Sequence, residues 1–287
     1  MTPFSSEQFK DATRQAWDRC ASGWNGQTPA IHAWLAAATA AMLDAARITA
    51  GMRVLDIAAG AGDQTLEIAR RVGPEGHVLA TDISEAILRL AQGNARQAGL
   101  MQVETRVSDA EALAVEAASF DAAVCRLGLM FCPDPVQALR QMHQALKPGG
   151  HAAVLVFSEP QRNPCIGILM TTALRHAGLP PRDPFQPGGL LSLGKPGLLA
   201  SCFSQAGFTA VAATRIYAPF QRPSARDYLD FVRASASPIL QILGRLAPQA
   251  QEAAWADMQD QLDVFDMPDG WEGPNELLLA HGARPVA

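Results

Sequence analysis

Residues Val54 to Thr65 read VLDIAAGAGDQT. An aliphatic run meets an acid, passes through Ala58–Gly62 with almost no side chain, and then turns polar. The apolar run predicts a buried strand, Arg53 to Ala58. The following DQTLEIARRV, with Leu66, Ile68, Ala69 and Val72 biased to one face, predicts a helix. Gly60 and Gly62 permit a tight turn and let a ligand lie against the main chain, and a helix start presents amides without partners. In an open parallel sheet, ligands bind at this carboxyl edge of the strands.

The same alternation continues outward. HVLATD (77–82) predicts a second strand, and Ser84 caps a helix that Gly99 ends. MQVETRV (101–107) and FDAAVC (120–125) predict the third and fourth strands. Asp134-Pro135 starts a helix that stops at LKPGG, and HAAVLVFS (151–158) is the fifth strand. Strands alternating with helices signify a parallel sheet. The rhythm breaks at 159–196, where a helical piece around Cys165–Ala177 precedes the Pro/Gly-rich GLPPRDPFQPGG, and again at 224–265; both read as insertions. Between them lie a helix (GLLASCFSQAG) and a sixth strand (208–220), and NELLLAHGARP (275–285) supplies the last strand.

With 287 residues, 48% of them hydrophobic, the chain can bury one large α/β core. A net charge of −5 without a basic run argues against nucleic acid as the partner and for a small molecule. The start MTPFSSEQFKDATRQAW lacks the charge and apolar pattern of a secretory signal. The stretch 30–48 carries His32, Asp44 and Arg47 at helical spacing, so a packed helix is expected there rather than a membrane span, and a cytoplasmic location is expected. Five cysteines without a CxxC pair read as free structural thiols.

The glycine turn fits neither common phosphate fingerprint. Counted from Gly60, GxGxxG places Thr65 at its third glycine, and no Gly-Lys-Ser/Thr follows. A nucleoside without phosphates fits better. Asp82, at the second strand end, can accept from both ribose hydroxyls, Asp109 from an adenine amine, and Ile83 can cover the ring. Taken singly, either acid could equally be a helix cap or a solvated turn.

The ordered set VLDIAAGAGD, ATDIS, SDAEAL, FDAAVCRLGLMFCPDP and LKPGGHAAV, over residues 50–158, resembles class I S-adenosylmethionine-dependent methyltransferases. The AAGAGD form and RLGLMFCPDP are similar to the ubiquinone/menaquinone C-methyltransferase type and its small-molecule relatives. The resemblance implies a Rossmann-like α/β fold, a seven-stranded methyltransferase sheet with helices on both faces and helical lid insertions. It divides the chain into an N-terminal helical lid segment (1–50), an S-adenosylmethionine-binding core (51–158) and the rest of the sheet with two lid insertions (159–287).

The resemblance also implies that Asp56 and Gly60, Ala61 and Gly62 hold the methionine end, Asp82 the ribose, and Asp109 with Ala110 the adenine, with Arg126 near the methionine moiety. Ala58 stands where many relatives carry glycine. Trp17, Trp24 and Trp34 fall near the expected cofactor mouth, although helix packing alone would also explain them. For the acceptor, Met130 and Phe131 and the Leu/Ile/Met-rich insertions predict an apolar pocket for an aromatic, quinol-like or other small molecule methylated at O or C. His32 and His176, the histidines of the lid segments, are expected with Met130 and Phe131 at the substrate pocket, but neither is assigned as a base, since a surface or capping role also explains both. No metal is expected, since no His/Asp cluster has ligand spacing. Two other readings stay open at this level: a cofactor-binding regulatory or pericyclic protein, and an arsenite methyltransferase using Cys125 and Cys132.

Overall fold

The structure, a computed structural model, describes residues 5–286. Residues 1–4 of the expected N-terminal segment, and the final residue of the last one, lie outside the described residues. The chain opens with two helices, α1 (Ser6–Gly26) and α2 (Thr28–Ala45), and then enters the alternating core. In order, the core runs β1 (Arg53–Ile57), α3 (Asp63–Val72), β2 (His77–Asp82), α4 (Glu85–Gln97), β3 (Val103–Val107), β4 (Phe120–Arg126), α5 (Pro135–Ala145) and β5 (Leu146–Phe157). The start signals act as their chemistry dictates. Ser84 Oγ accepts from the Ile87 amide at 3.2 Å, and Asp134 accepts from the Gln137 amide at 2.9 Å with Pro135 in the first turn.

The remainder comprises α6 (Pro164–His176), α7 (Leu198–Gln205), β6 (Thr209–Tyr217), β7 (Phe220–Arg222), α8 (Ala225–Ser235), α9 (Ser237–Leu243), α10 (Pro248–Leu262), β8 (Asp266–Met267), β9 (Gly270–Gly273) and β10 (Glu276–Ala283). Seven strands form one sheet in the order β3-β2-β1-β4-β5-β10-β6, with β10 antiparallel to both β5 and β6. The middle strands β1, β4 and β5 are almost wholly buried. Val54, Leu55, Val124, Val154 and Leu155 are all fully covered, as strands with helices on both faces must be.

The expected sixth strand is shorter than its sequence pattern. Pro219, which has no amide to give a ladder, interrupts it, and Phe220 leaves with β7 for a separate sheet in the order β7-β9-β8. That small sheet was not anticipated, because strands of two to four residues carry no readable period. The third strand begins at Val103 rather than Met101, which sits 78% exposed in the turn after Gly99.

The expected N-terminal and inserted segments pack on one another. Helix α1 contacts α4 of the core and also α8 and α9. Gly23 makes the α8 contact possible, since a Cβ there would lie 1.9 Å from the Ala234 carbonyl oxygen. No helix among the described residues is long and apolar enough to cross a membrane.

Candidate active site

Four strands end at one cleft with about 1040 Å³ of empty space, part of it open to solvent. The turn after β1 supplies Ala58 and Gly60, the end of β2 supplies Asp82 and Ile83, the segment after β3 supplies Ser108, Asp109 and Ala110, and β4 supplies Arg126. Trp24 of α1 closes one side; its Nε1 stands 3.3 Å from where a Gly60 Cβ would be. The backbone is forced here: Gly60 and Gly62 have φ +58° and +91°, and Ala58 and Leu127 adopt φ +53° and +56° without being glycine. A Cβ on Gly128 would lie 2.2 Å from that of Ala58, so these two loops touch at van der Waals contact.

Asp82 is built into the turn. One carboxylate oxygen accepts from the Gly60 amide and the other from the Ser84 amide, both at 3.0 Å, yet the side chain still lines the cleft. Burial pushes its pKa up to about 6 against the opposing pull of those amides. Asp109 accepts from the Glu111 amide at 2.9 Å and pairs with Lys10 of α1 at 2.7 Å; Lys10 also reaches Glu111 at 2.6 Å. A helix from the N-terminal segment is thus latched to the strand end expected to face adenine.

Asp56 is placed differently from the sequence expectation. It is fully buried and does not line the cleft. Its oxygens accept from Gln64 Nε2 at 3.2 Å and Thr65 Oγ1 at 2.6 Å, so it ties β1 to α3 from beneath the turn. Burial pushes its pKa up to about 7. Ala61 and Gly62 also stand behind the lining; Gly62, at the cap of α3, would put a Cβ 3.1 Å from that of Ala91.

The charged pair at the cleft is Asp63 and Arg126, with side chains 10% and 4% exposed. Arg126 Nη2 lies 2.8 Å from Asp63 Oδ2, and its Nη1 donates to Thr39 Oγ1 at 2.8 Å. The ion contact is not aligned as a hydrogen bond, so Asp63 Oδ2 is a buried oxygen without a donor. Asp63 went unassigned in the sequence. As an acid in the first turn of a helix it reads as a dipole partner, and only the fold reveals an arginine 63 positions away.

A second cavity adjoins the cleft. Trp17, Trp24, Leu127 and Phe131 line both, and behind them lies a chamber walled by Trp34, Met130, Phe157, Ile166, Leu169, Phe220, Tyr228, Phe231 and Ile239. Its walls come from both expected insertions, from α1 and α2, from the turn after β4, and from Phe157, Phe220 and Asn275 at strand ends. Trp17 and Phe131 meet edge to face at 5.9 Å. They also line a wider cavity open to solvent, which carries Met170, Arg182 and Arg245.

Neither His32 nor His176 lines any of these spaces. His32 is half exposed and sits 3.2 Å from Asp63 Oδ1, while His176 pairs with Asp257 at 2.7 Å. Cys125 and Cys132 do line the cleft, but burial pushes Cys125 up to about 12 and Cys132 well above its ordinary range. Neither supplies the thiolate that arsenic chemistry needs.

Residues 48–174 match a family model described as a methyltransferase domain. The ubiquinone/menaquinone biosynthesis C-methyltransferase of Idiomarina loihiensis is 40% identical over 119 residues, 41% of this chain and 47% of that protein. The demethylmenaquinone methyltransferase of Listeria welshimeri is 38% identical over 114 residues, 40% of this chain and 48% of that protein. The matched segment therefore spans about half the length of these curated relatives.

Among solved structures, the YcgJ protein of Bacillus subtilis covers 87% of this chain and 98% of its own, with a TM-score of 0.58 and 18% identity. The [4+2]-cyclase SpnF covers 87% and 81%, with a TM-score of 0.54 and 23% identity. Both are likenesses of fold. The matched segment, the strand order with its one antiparallel member and the cleft at the strand ends agree: residues 48–174 of this chain are similar to a methyltransferase domain, set within a sheet of seven strands.

Proposed function

We propose that this protein transfers a methyl group from S-adenosylmethionine to carbon or oxygen of a small, largely apolar aromatic acceptor. The observation that carries this reading is the junction at Trp17, Trp24, Leu127 and Phe131, which line both the cleft that carries Asp82 and Asp109 and the adjoining apolar aromatic chamber.

The residues present fit the cofactor. Asp82 offers its carboxylate to the ribose hydroxyls, Ile83 and Ala110 bracket the adenine, and Asp109 keeps acceptor capacity for its amine. The methionine end has one ammonium and one carboxylate. Asp63 Oδ2, buried without a donor, suits the first, and Arg126 with the free amides at the start of α3 suits the second. Asp56, Ala61 and Gly62 act from behind, by fixing the turn.

S-adenosylmethionine supplies an electrophilic methyl whose bonding electrons return to sulfur as the new bond forms. The chain's part is placement. Trp17, Trp24 and Phe131 confine the acceptor and exclude water, and alignment of this kind contributes up to about 7–11 kcal/mol to such reactions. Tyr228 is the only titratable side chain lining the chamber among the described residues. An acceptor that needs no strong base, such as an electron-rich ring carbon or a phenolate, is what this wall accommodates.

One curated relative is named for ubiquinone/menaquinone biosynthesis and the other for demethylmenaquinone, which fits such an acceptor. The test is methyl transfer from tritiated cofactor into quinols and phenols, beside tRNA and bulk protein. Label in a small aromatic product is the expected result. Label only in a polymer, or tight cofactor binding without transfer to any acceptor, contradicts the reading; the second outcome points to a non-methylating role.

A further inference from the structure

The chamber contains hydrogen-bonding groups that the fold itself does not use. Away from the junction, four wall residues carry polar side-chain atoms: Trp34, Ser235, Tyr228 and Asn275. The first two are satisfied internally. Trp34 Nε1 donates to the Ala218 carbonyl at 2.8 Å, and Ser235 Oγ to that of Phe231 at 2.6 Å. The other two are not.

Asn275, just ahead of β10, is 7% exposed, and its Oδ1 is buried with no hydrogen-bond partner. Its main chain is used, since the carbonyl accepts from the Ala218 amide at 2.9 Å, but its side-chain amide has no partner among the described residues. Exchanging the amide oxygen and nitrogen only changes which of the two atoms is orphaned. Tyr228 is also 7% exposed. Its ring is stacked on Trp271 at 4.7 Å and set edge to face with Phe220 at 5.1 Å, while its hydroxyl makes no hydrogen bond among the described residues. An unsatisfied amide in an otherwise aromatic wall is destabilising, and leucine would fill the same space without that penalty.

We propose that Asn275 and Tyr228 form a polar anchor for an oxygen substituent, a hydroxyl or carbonyl, on an otherwise apolar aromatic acceptor, and so decide which ring atom faces the cofactor. The assignment rests on the methyl-transfer reading for its purpose but not for its detection. An amide presents both donor and acceptor and the phenol can serve as either, so a ring hydroxyl is matched in both directions. Their ring contacts and backbone bonds hold both residues in place before any ligand arrives, which makes them selective rather than merely polar.

The test uses the full chain saturated with S-adenosylhomocysteine and two probes of nearly equal shape, 2-naphthol and 2-methylnaphthalene, with binding followed by calorimetry. Wild type is expected to prefer 2-naphthol at least tenfold. Asn275→Leu should abolish that preference, and Tyr228→Phe should reduce it severalfold, with affinity for S-adenosylhomocysteine unchanged in both. The Asn275→Leu melting temperature should be equal to or above wild type, the opposite of what a structural asparagine would give. Failure of 2-naphthol to bind, absence of a preference in wild type, or a preference that survives Asn275→Leu overturns the anchor. An intact preference with no methyl transfer to any phenol leaves the anchor standing and overturns the methyl-transfer reading instead.

Discussion

At the scale of single residues, Asp82 and Asp56 do different work, and pH separates them. Asp82 faces the cleft with a pKa raised to about 6. In the proposed binding mode ribose hydroxyls donate to its ionised form, so protonation competes with binding. Affinity for S-adenosylhomocysteine should be level above about pH 7 and fall as pH drops through 6, with Asp82→Asn flattening the profile. Asp82→Ala should weaken binding by about 1.5–3 kcal/mol, the range for hydrogen bonds to a charged group. Titration calorimetry at several pH values checks both, and a wild-type profile without a fall below pH 6 counts against the ribose assignment.

Asp56 should instead affect stability. Its folded value of about 7 lies above the ordinary 3.8, so its contribution is fully present below about pH 4 and is lost as pH rises through 7. Asp56→Asn should therefore lose less stability than wild type between pH 4 and 7.5 in urea unfolding. A steeper loss in the variant refutes this account of the buried carboxylate.

Ala58 and Gly128 complete the residue scale. Ala58→Gly relieves a left-handed alanine and should stabilise by about 1 kcal/mol. Gly128→Ala drives a methyl into Ala58 and should destabilise by more than that. Thermal melts giving the reverse order would contradict the described contact. The strain at Ala58 could not be read from sequence, where the residue is merely small; that Gly128 must be glycine follows from a neighbour 70 positions away.

At the scale of elements, helix α1 joins the cleft, the chamber and the second insertion. It brings Lys10 to Asp109 and Glu111, Asp18 to the Ser84 hydroxyl at 2.6 Å, and Trp17 and Trp24 to the junction. In the proposed role of a lid it would have to loosen for cofactor exchange, and the Lys10 latch, partly exposed, is screened by salt. Lys10→Ala should speed release of S-adenosylhomocysteine severalfold in stopped-flow tryptophan fluorescence and remove most of its salt dependence. An unchanged release rate would separate α1 from gating. The helix itself is legible in the sequence, but its partners are not. Its pairing with residues near 109, 84 and 234 depends on long-range packing that no local period encodes.

At the scale of the whole molecule, the core was legible because its signals are local. Strand and helix periods, the Ser84 and Asp134 caps and the glycine turn each declare themselves within a few residues, and the observed elements follow them closely. The chamber was legible only in its composition. Its walls come from α1, α2, the turn after β4, α6, α8 and α9, and its polar members, Tyr228 and Asn275, sit in segments with no recognisable motif. The acids of the cleft show the same division. Asp82 and Asp109 sit at strand ends as expected. Asp56 turns into the fold to meet Thr65 while Asp63 lines the cleft, a choice set by packing rather than by pattern.

The central claim is that a cofactor cleft and an apolar acceptor chamber meet at the reacting atom. A crystal structure with S-adenosylhomocysteine tests it most directly. The expected result places the ribose on Asp82, the adenine between Ile83 and Ala110, and the sulfur at the junction of Trp17, Leu127 and Phe131, facing the chamber. A sulfur directed to open solvent, or a ligand seated elsewhere, would contradict it.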